Sequence, residues 1–253
     1  MIMTDNQMRN PHLDGTPFYW KGGAVAVLCL HGFTATTVEV RDMAAFLFNK
    51  GYTVRAPLLP GHGKSPEEMN QTGWRDWFGE AESSLKELQR DYQKVFVLGE
   101  SMGALLTLRL AALYPSLQGI LLFAPALKIN NLWLSKYLWP FKPMMKKKPP
   151  MDQLPQQSYT SFPLKAAASL YAFQAIVRQE LPQIHIPVRI FQGPRDDTIN
   201  PIGAVLINEN IGSLDKELII MEESGHLILL DKQKEIVEEM TLAFIEKFAN
   251  LSP

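Results

Sequence analysis

A mostly parallel β-sheet wound on both faces by helices is the fold class that this sequence predicts, and three observations predict it. Apolar runs of four to six residues recur along the chain, stretches with helical periodicity alternate with them, and turn residues bound each run. The runs are Val25–Leu30, Thr53–Ala56, Val95–Leu98, Ile120–Ala124, Val188–Phe191 and Leu218–Met221. Each is too short for a buried helix and reads as a strand covered on both faces. Val40–Lys50, Trp77–Tyr92, Met102–Leu113, Ile202–Asn210 and Lys232–Phe248 carry the helical spacing between and after them. Regular alternation of strand and helix makes neighbouring strands parallel, and such a sheet keeps its ligand site at the carboxyl ends of its strands.

The alternation stops between Leu127 and Pro182. Six prolines (Pro140, Pro143, Pro149, Pro150, Pro155 and Pro163), Trp133, Trp139 and the run Lys146-Lys147-Lys148 precede a helical stretch at Leu164–Glu180, and no strand is evident. A proline-broken, aromatic-rich insertion in a regular α/β pattern reads as a lid over the site, with the lysine run as its solvated surface. The expected organisation is one domain over 1–253, with a core at 20–126 and 183–250 and an inserted cap at about 127–182.

Composition narrows the function classes. The 253 residues are 46% hydrophobic and 20% charged, with 25 Lys+Arg against 26 Asp+Glu for a net charge of -1. A chain of this balance offers no overall basic excess for nucleic acid and gives no electrostatic reason to expect an acidic membrane surface. The single cysteine, Cys29, excludes an internal disulfide framework and a multi-cysteine metal cluster, and its apolar setting reads as a small buried hydrophobe. Residues Met1–Asn10 are polar and read as no signal peptide, and no run reaches the roughly 18 apolar residues of a spanning helix, so stable membrane insertion is not expected. The simplest location is the cytoplasm, and nothing in the pattern specifies an oligomeric state.

Gly99-Glu100-Ser101-Met102-Gly103 lies directly after an apolar strand and directly before a helical run. That context suits a nucleophile elbow, in which flanking glycines permit a turn too sharp for side chains and Ser101 is lifted above the sheet. A serine hydroxyl needs a base to take its proton. Among five histidines, His12 and His185 sit in polar or structural settings, and His31 and His62 stand beside glycines in early loops. His226 follows the last strand in Glu223-Ser224-Gly225-His226, where a loop carries it over Ser101, and is the expected base. A carboxylate must orient the imidazole, and Gly193-Pro194-Arg195-Asp196-Asp197 ends the preceding strand, leaving Asp196 and Asp197 as alternatives. For the oxyanion, the N–H of Met102 and that of Phe33, in His31-Gly32-Phe33-Thr34, are the expected donors, with their side chains free to line an apolar pocket. Because these residues fall on both sides of the insertion, the strands before and after it must share one sheet.

Taken together, His31-Gly32-Phe33, Pro60-Gly61-His62-Gly63, Gly99–Gly103, Asp196 with Ile199-Asn200-Pro201, and Ser224-Gly225-His226 resemble the bacterial carboxylesterase and monoacylglycerol lipase branch of the α/β-hydrolases, from about Gly23 to Phe248. The resemblance implies an α/β-hydrolase fold, a Ser101-Asp196-His226 triad with Asp196 preferred over Asp197, no cofactor or metal, and a small cap over an acyl pocket. The expected substrate is a small-molecule, uncharged ester with a medium or long acyl chain. Phe33, Met102, Trp133, Leu138 and Trp139 are the candidate substrate-binding side chains. A thioesterase, carbon–carbon hydrolase, peptidase or acyltransferase would use the same triad; a dehalogenase would need a carboxylate at Ser101, and a non-catalytic receptor would need no triad.

Overall fold

The computed structural model describes residues 7–148 and 154–250; Pro149 and Pro150 of the insertion and the first six residues lie outside them. Seven strands form the central sheet: β1 (Phe18–Trp20), β2 (Val25–Leu30), β3 (Thr53–Ala56), β4 (Lys94–Glu100), β5 (Gly119–Phe123), β8 (Val188–Gln192) and β9 (Lys216–Ile220), in the order β1-β3-β2-β4-β5-β8-β9. All neighbours are parallel except β1 and β3. The six expected strands are present, β2 and β3 with the expected ends and the other four within two residues of theirs. β1 was not expected, because three half-buried residues on an antiparallel edge precede the alternation and carry no period of their own.

Helices α1 (Val38–Asn49), α2 (Pro66–Met69), α3 (Trp74–Asp91), α4 (Met102–Leu113), α7 (Ile202–Asn210) and α8 (Lys234–Ala249) join the strands of the core. α1 packs with α8 and α3 with α4, so the helices flank the sheet in two groups. Local chemistry sets several starts. Ser65 accepts the Glu68 N–H and Pro66 opens α2, while Asp76 accepts the Gly73 N–H at 2.8 Å to begin α3. α4 is apolar nearly all round and buried over most of its length, as a helix under a sheet and a second helix layer must be.

From β2 the chain crosses to β3 on one side, and from β4 it crosses to β5 on the other. Strand order therefore reverses between β2 and β4, which opens the crevice in which open α/β sheets hold their ligands.

The insertion contains a 3-10 turn (Leu132–Leu134), α5 (Ser135–Leu138), the strands β6 (Met144–Lys146) and β7 (Ser161–Pro163), and α6 (Leu164–Glu180). The antiparallel β6–β7 pair corrects the expectation of no strand here. Each strand is only three residues long and carries too little pattern to be read. The segment is tied to the core: Tyr159 N–H donates to Thr34 O at 3.0 Å, Gln174 Nε2 to Ala126 O at 2.6 Å, and Arg109 pairs with Glu180. Among the described residues, no helix is long and apolar enough to cross a membrane.

Candidate active site

Ser101 stands between β4 and α4 with φ 57° and ψ -111°, a strained elbow for a non-glycine residue. Its backbone is held on two sides, its N–H donating to Phe123 O at 2.8 Å and its carbonyl accepting from Ala126 N at 3.1 Å. The glycines beside it leave no room for side chains: a Cβ on Gly103 would lie 2.1 Å from Leu30 O, and one on Gly99 would lie 2.3 Å from the carbonyl of Gly103. Here the sequence pattern and the packing express one requirement, the close seating of α4 against β2 and β4.

The loops after β8 and β9 bring Asp196 and His226 to the same edge. His226 Nε2 lies 3.1 Å from Ser101 Oγ, and His226 Nδ1 lies 2.8 Å from Asp196 Oδ2. Asp196 is buried, and its second oxygen accepts the N–H groups of Thr198 and Ile199, each at 2.9 Å. Gln192 Nε2 adds a donor to Oδ2 at 3.2 Å. Asp197 is exposed and accepts the Thr198 hydroxyl at 3.2 Å, so the carboxylate in contact with His226 is that of Asp196.

Burial favours the neutral form of Asp196, but the His226 charge, its hydrogen bond and the two backbone donors outweigh burial and lower its pKa. At His226, burial opposes the imidazolium, yet the charge and hydrogen bond of Asp196, with the charges of Glu39 and Asp197, raise the pKa above its ordinary value. The arrangement therefore favours proton transfer onto Nε2 and stabilises the cation that results.

His31-Gly32-Phe33-Thr34 runs directly past Ser101: a Cβ on Gly32 would lie 3.2 Å from Ser101 Cβ. Ala35 N–H donates to Gly32 O at 3.4 Å and Gly32 N–H to Glu39 Oε2 at 2.8 Å, which leaves the Phe33 N–H outside the loop's own hydrogen bonds. Met102 is the first residue of α4, and its N–H is one of the donors that a helix start leaves without an intrahelical acceptor. His31 and His62 are buried and held neutral, burial lowering the His31 pKa to about 4 and that of His62 well below the usual range. His31 Nε2 accepts the Leu59 N–H at 3.1 Å and so braces the loop.

The candidate binding side chains do not gather in one place. Phe33 packs edge-on to Trp77 and stacks on Phe162 of β7, with ring centres 5.7 and 6.5 Å away. Met102 is wholly buried. Trp133, Leu138 and Trp139 of the insertion are 48%, 42% and 37% exposed.

Three further charged residues stand at the site, and the sequence assigned a role there to none of them. Glu39, in the first turn of α1, lies beneath the loop, where burial raises its pKa to about 7 against the Gly32 N–H and the charges of His226 and Lys147. Glu100, beside Ser101, is buried and accepts the Leu229 N–H at 3.2 Å; burial, then the charges of Glu39 and Asp196, push its pKa well above the carboxylate range. Lys147 turns inward from the lysine run, donates to Thr34 Oγ1 and lies over the Phe162 ring; burial lowers its pKa to about 7. An acid in the first turn of a helix or a lysine among lysines carries no sequence signal of such burial. Glu100 alone was visible, as the variable position of the elbow.

Among the described residues, no cluster of three or more His, Cys, Asp or Glu has the geometry to hold a metal ion.

Residues 24–162 match the family described as serine aminopeptidase, S33. The chain is 32% identical over 237 residues to a carboxylesterase of Bacillus subtilis (strain 168), covering 91% of this chain and 96% of that one. It is 33% identical over 248 residues to a thermostable monoacylglycerol lipase of Bacillus sp. (strain H-257), covering 94% and 98%. A solved structure from the work on LipS and LipT, two metagenome-derived lipolytic enzymes, superposes with a TM-score of 0.88 at 30% identity, over 92% of this chain and 98% of that one. This chain belongs to the serine aminopeptidase S33 family of the α/β-hydrolases, in the branch that holds the bacterial carboxylesterases and monoacylglycerol lipases.

Proposed function

We propose that the chain is a serine hydrolase of carboxylic esters in which Ser101, His226 and Asp196 act as the triad. The observation that carries this reading is the continuous contact from Ser101 Oγ through His226 to Asp196, at 3.1 and 2.8 Å, at the crevice where strand order reverses.

Ser101 Oγ attacks the ester carbonyl while His226 Nε2 takes its proton. The carbonyl oxygen becomes an oxyanion and is held by the N–H groups of Phe33 and Met102. As the tetrahedral intermediate collapses, the carbon–oxygen bond to the alcohol breaks and the imidazolium returns its proton to the departing oxygen. The acyl group is then an ester of Ser101. Water attacks this ester with His226 again as base, and the acid leaves as the proton returns to Ser101. Asp196 holds Nδ1–H throughout and offsets the transient positive charge.

The substrate in this reading is a small uncharged ester with a medium or long acyl chain. Phe33 and Phe162, half-buried and stacked on one another beside the oxyanion loop, supply apolar surface for it. Residues 127–182 act as the cap of one domain whose core is 20–126 and 183–250. A cytoplasmic location fits a chain whose one thiol, Cys29, is buried. The ester reading is favoured over a peptide bond, despite the family's description, because the relatives matched over nine-tenths of the chain are an esterase and a lipase.

Hydrolysis rates over p-nitrophenyl esters and monoacylglycerols of increasing chain length test the assignment. A rise in kcat/KM with chain length supports it. Absence of ester hydrolysis, with hydrolysis of aminoacyl amides instead, would replace it with a peptidase.

A further inference from the structure

Thr34 has φ 68°. Ala35 N–H donates to Gly32 O at 3.4 Å, which closes a turn with Phe33 and Thr34 at its centre and puts Thr34 where a left-handed residue is required. Glycine or asparagine takes that position at little cost, whereas a branched Cβ crowds the chain there. Thr34 is β-branched and wholly buried, so it keeps this shape only while its surroundings impose it.

The surroundings come from the insertion. Tyr159 N–H donates to Thr34 O at 3.0 Å, and Ala35 forms a bridge with Ser158, so the backbone of the turn is held from one side. The side chain is held separately, by Lys147 Nζ donating to Thr34 Oγ1. Lys147 is itself anchored: its N–H donates to Thr160 O at 2.9 Å, and its ammonium lies 4.7 Å from the centre of the Phe162 ring. Lys146 and Lys148 beside it are exposed, so Lys147 alone of that run turns toward the loop.

A lysine is costly at this place. Lys147 is half-buried, and burial draws its pKa down to about 7. Among the described residues it makes no ion pair, and Glu39 acts on it only through charge at longer range. Withdrawing an ammonium from water without a carboxylate partner opposes folding, and an apolar side chain of the same length would pack there at less cost. The loop that Lys147 holds therefore accounts for the cation better than the stability of the insertion does.

We propose that Lys147 is a positioning residue of the oxyanion site: through Thr34 it holds the turn that presents the Phe33 N–H to the carbonyl oxygen. Relaxation of Thr34 to negative φ would turn over the peptide between Phe33 and Thr34, which adjoins the donor. The Phe33 N–H would then miss the oxygen where its charge develops, a loss that falls on the transition state rather than on ground-state binding. The insertion thus supplies a side chain that shapes the catalytic loop. This role rests on the serine-hydrolase reading and on Phe33 as an oxyanion donor.

Steady-state hydrolysis of p-nitrophenyl butyrate and thermal unfolding of the full chain test it with Lys147→Met, Thr34→Val, Thr34→Gly and their combinations. Lys147→Met keeps the stem and removes the donor: kcat should fall about tenfold or more, KM should move less than about threefold, and the melting temperature should hold or rise. Thr34→Val should lose as much, and Lys147→Met with Thr34→Val should lose no more than either alone, because both break one contact. Thr34→Gly adopts positive φ unaided, so it should recover about fivefold or more of the loss in Thr34→Val, and adding Lys147→Met should cost it less than about twofold. An unchanged kcat in Lys147→Met, a change confined to KM, or a fall in melting temperature that tracks the fall in kcat would overturn the proposal. So would additive losses, or a full loss from Lys147→Met on the Thr34→Gly background, which would assign the effect to the Lys147 charge. Phosphonylation of Ser101 by a fluorophosphonate draws on the same donors whatever bond the chain cleaves, and its rate should follow the same order across the variants. A parent that is labelled but hydrolyses no ester would defeat the ester reading alone, with the role of Lys147 decided by the labelling rates.

Discussion

The Gly32 N–H donates to Glu39 Oε2 at 2.8 Å, which sets a buried carboxylate beneath the loop that passes Ser101. Glu39 and His226 interact through their charges, so the carboxylate both shapes the loop and supports the base.

Substituting Glu39→Gln keeps an oxygen for Gly32 but removes the charge. The folded pKa of about 7 exceeds the unfolded value of about 4.3, so the folded chain holds a proton that the unfolded chain has released between those limits. Stability from this group is complete below about pH 4.3 and lost as pH rises through about 7, at up to ~1.4 kcal/mol per pH unit. Urea unfolding should therefore show the Gln variant gaining on the parent between pH 5 and pH 8. The variant's kcat/KM profile should also keep its activity to lower pH, because the imidazolium has lost a supporting charge. A parallel pair of stability curves would contradict this reading of Glu39.

Asp196→Asn and Asp197→Asn should part widely. With the His226 hydrogen bond and charge altered, the first should lower kcat by about 10³- to 10⁴-fold, as expected for an imidazole set in the wrong tautomer. The exposed Asp197 should tolerate the change within about twofold. Steady-state kinetics at matched fold stability separate the two, and equal modest losses would defeat the assignment.

A methyl group at Gly32 would meet Glu39 Oε2 at 2.9 Å and Ser101 Cβ at 3.2 Å. The loop must shift to accept it and carries the Phe33 N–H with it. Gly32→Ala should lose about 10²-fold or more in kcat, the scale of one lost oxyanion donor, with a smaller effect on KM. Unchanged kcat would remove Phe33 from the oxyanion site.

Tyr159 joins the insertion to the Pro60–Gly63 loop: its hydroxyl donates to Gly61 O at 2.6 Å and accepts from Lys64 N at 2.9 Å. Tyr159→Phe strands both groups, and unfolding should cost about 2 kcal/mol less than in the parent. Denaturant melts give the value directly, and no loss would mean that water replaces the hydroxyl.

The parallel sheet was legible because its central strands are buried on both faces and so form apolar runs, Val95–Leu98 above all. Ser101 and His226 were legible because the elbow glycines and the strand ends constrain what can stand there. Residues 127–182 were legible only as an interruption, since strands of three residues have no readable period. Glu39 and Lys147 were hidden for a different reason. Their burial is decided by loops far apart in sequence, whereas local pattern marks both as surface residues. Trp133 and Trp139 show the converse: aromatic residues whose composition suggests burial stand 48% and 37% exposed.

The most direct measurement is stoichiometric labelling by a serine-reactive fluorophosphonate, followed by peptide mapping and by ester hydrolysis with Ser101→Ala. One adduct per chain on Ser101, with hydrolysis lost in the Ala variant of unchanged fold, is the predicted result. No adduct on folded protein, or full hydrolysis without the Ser101 hydroxyl, would contradict it.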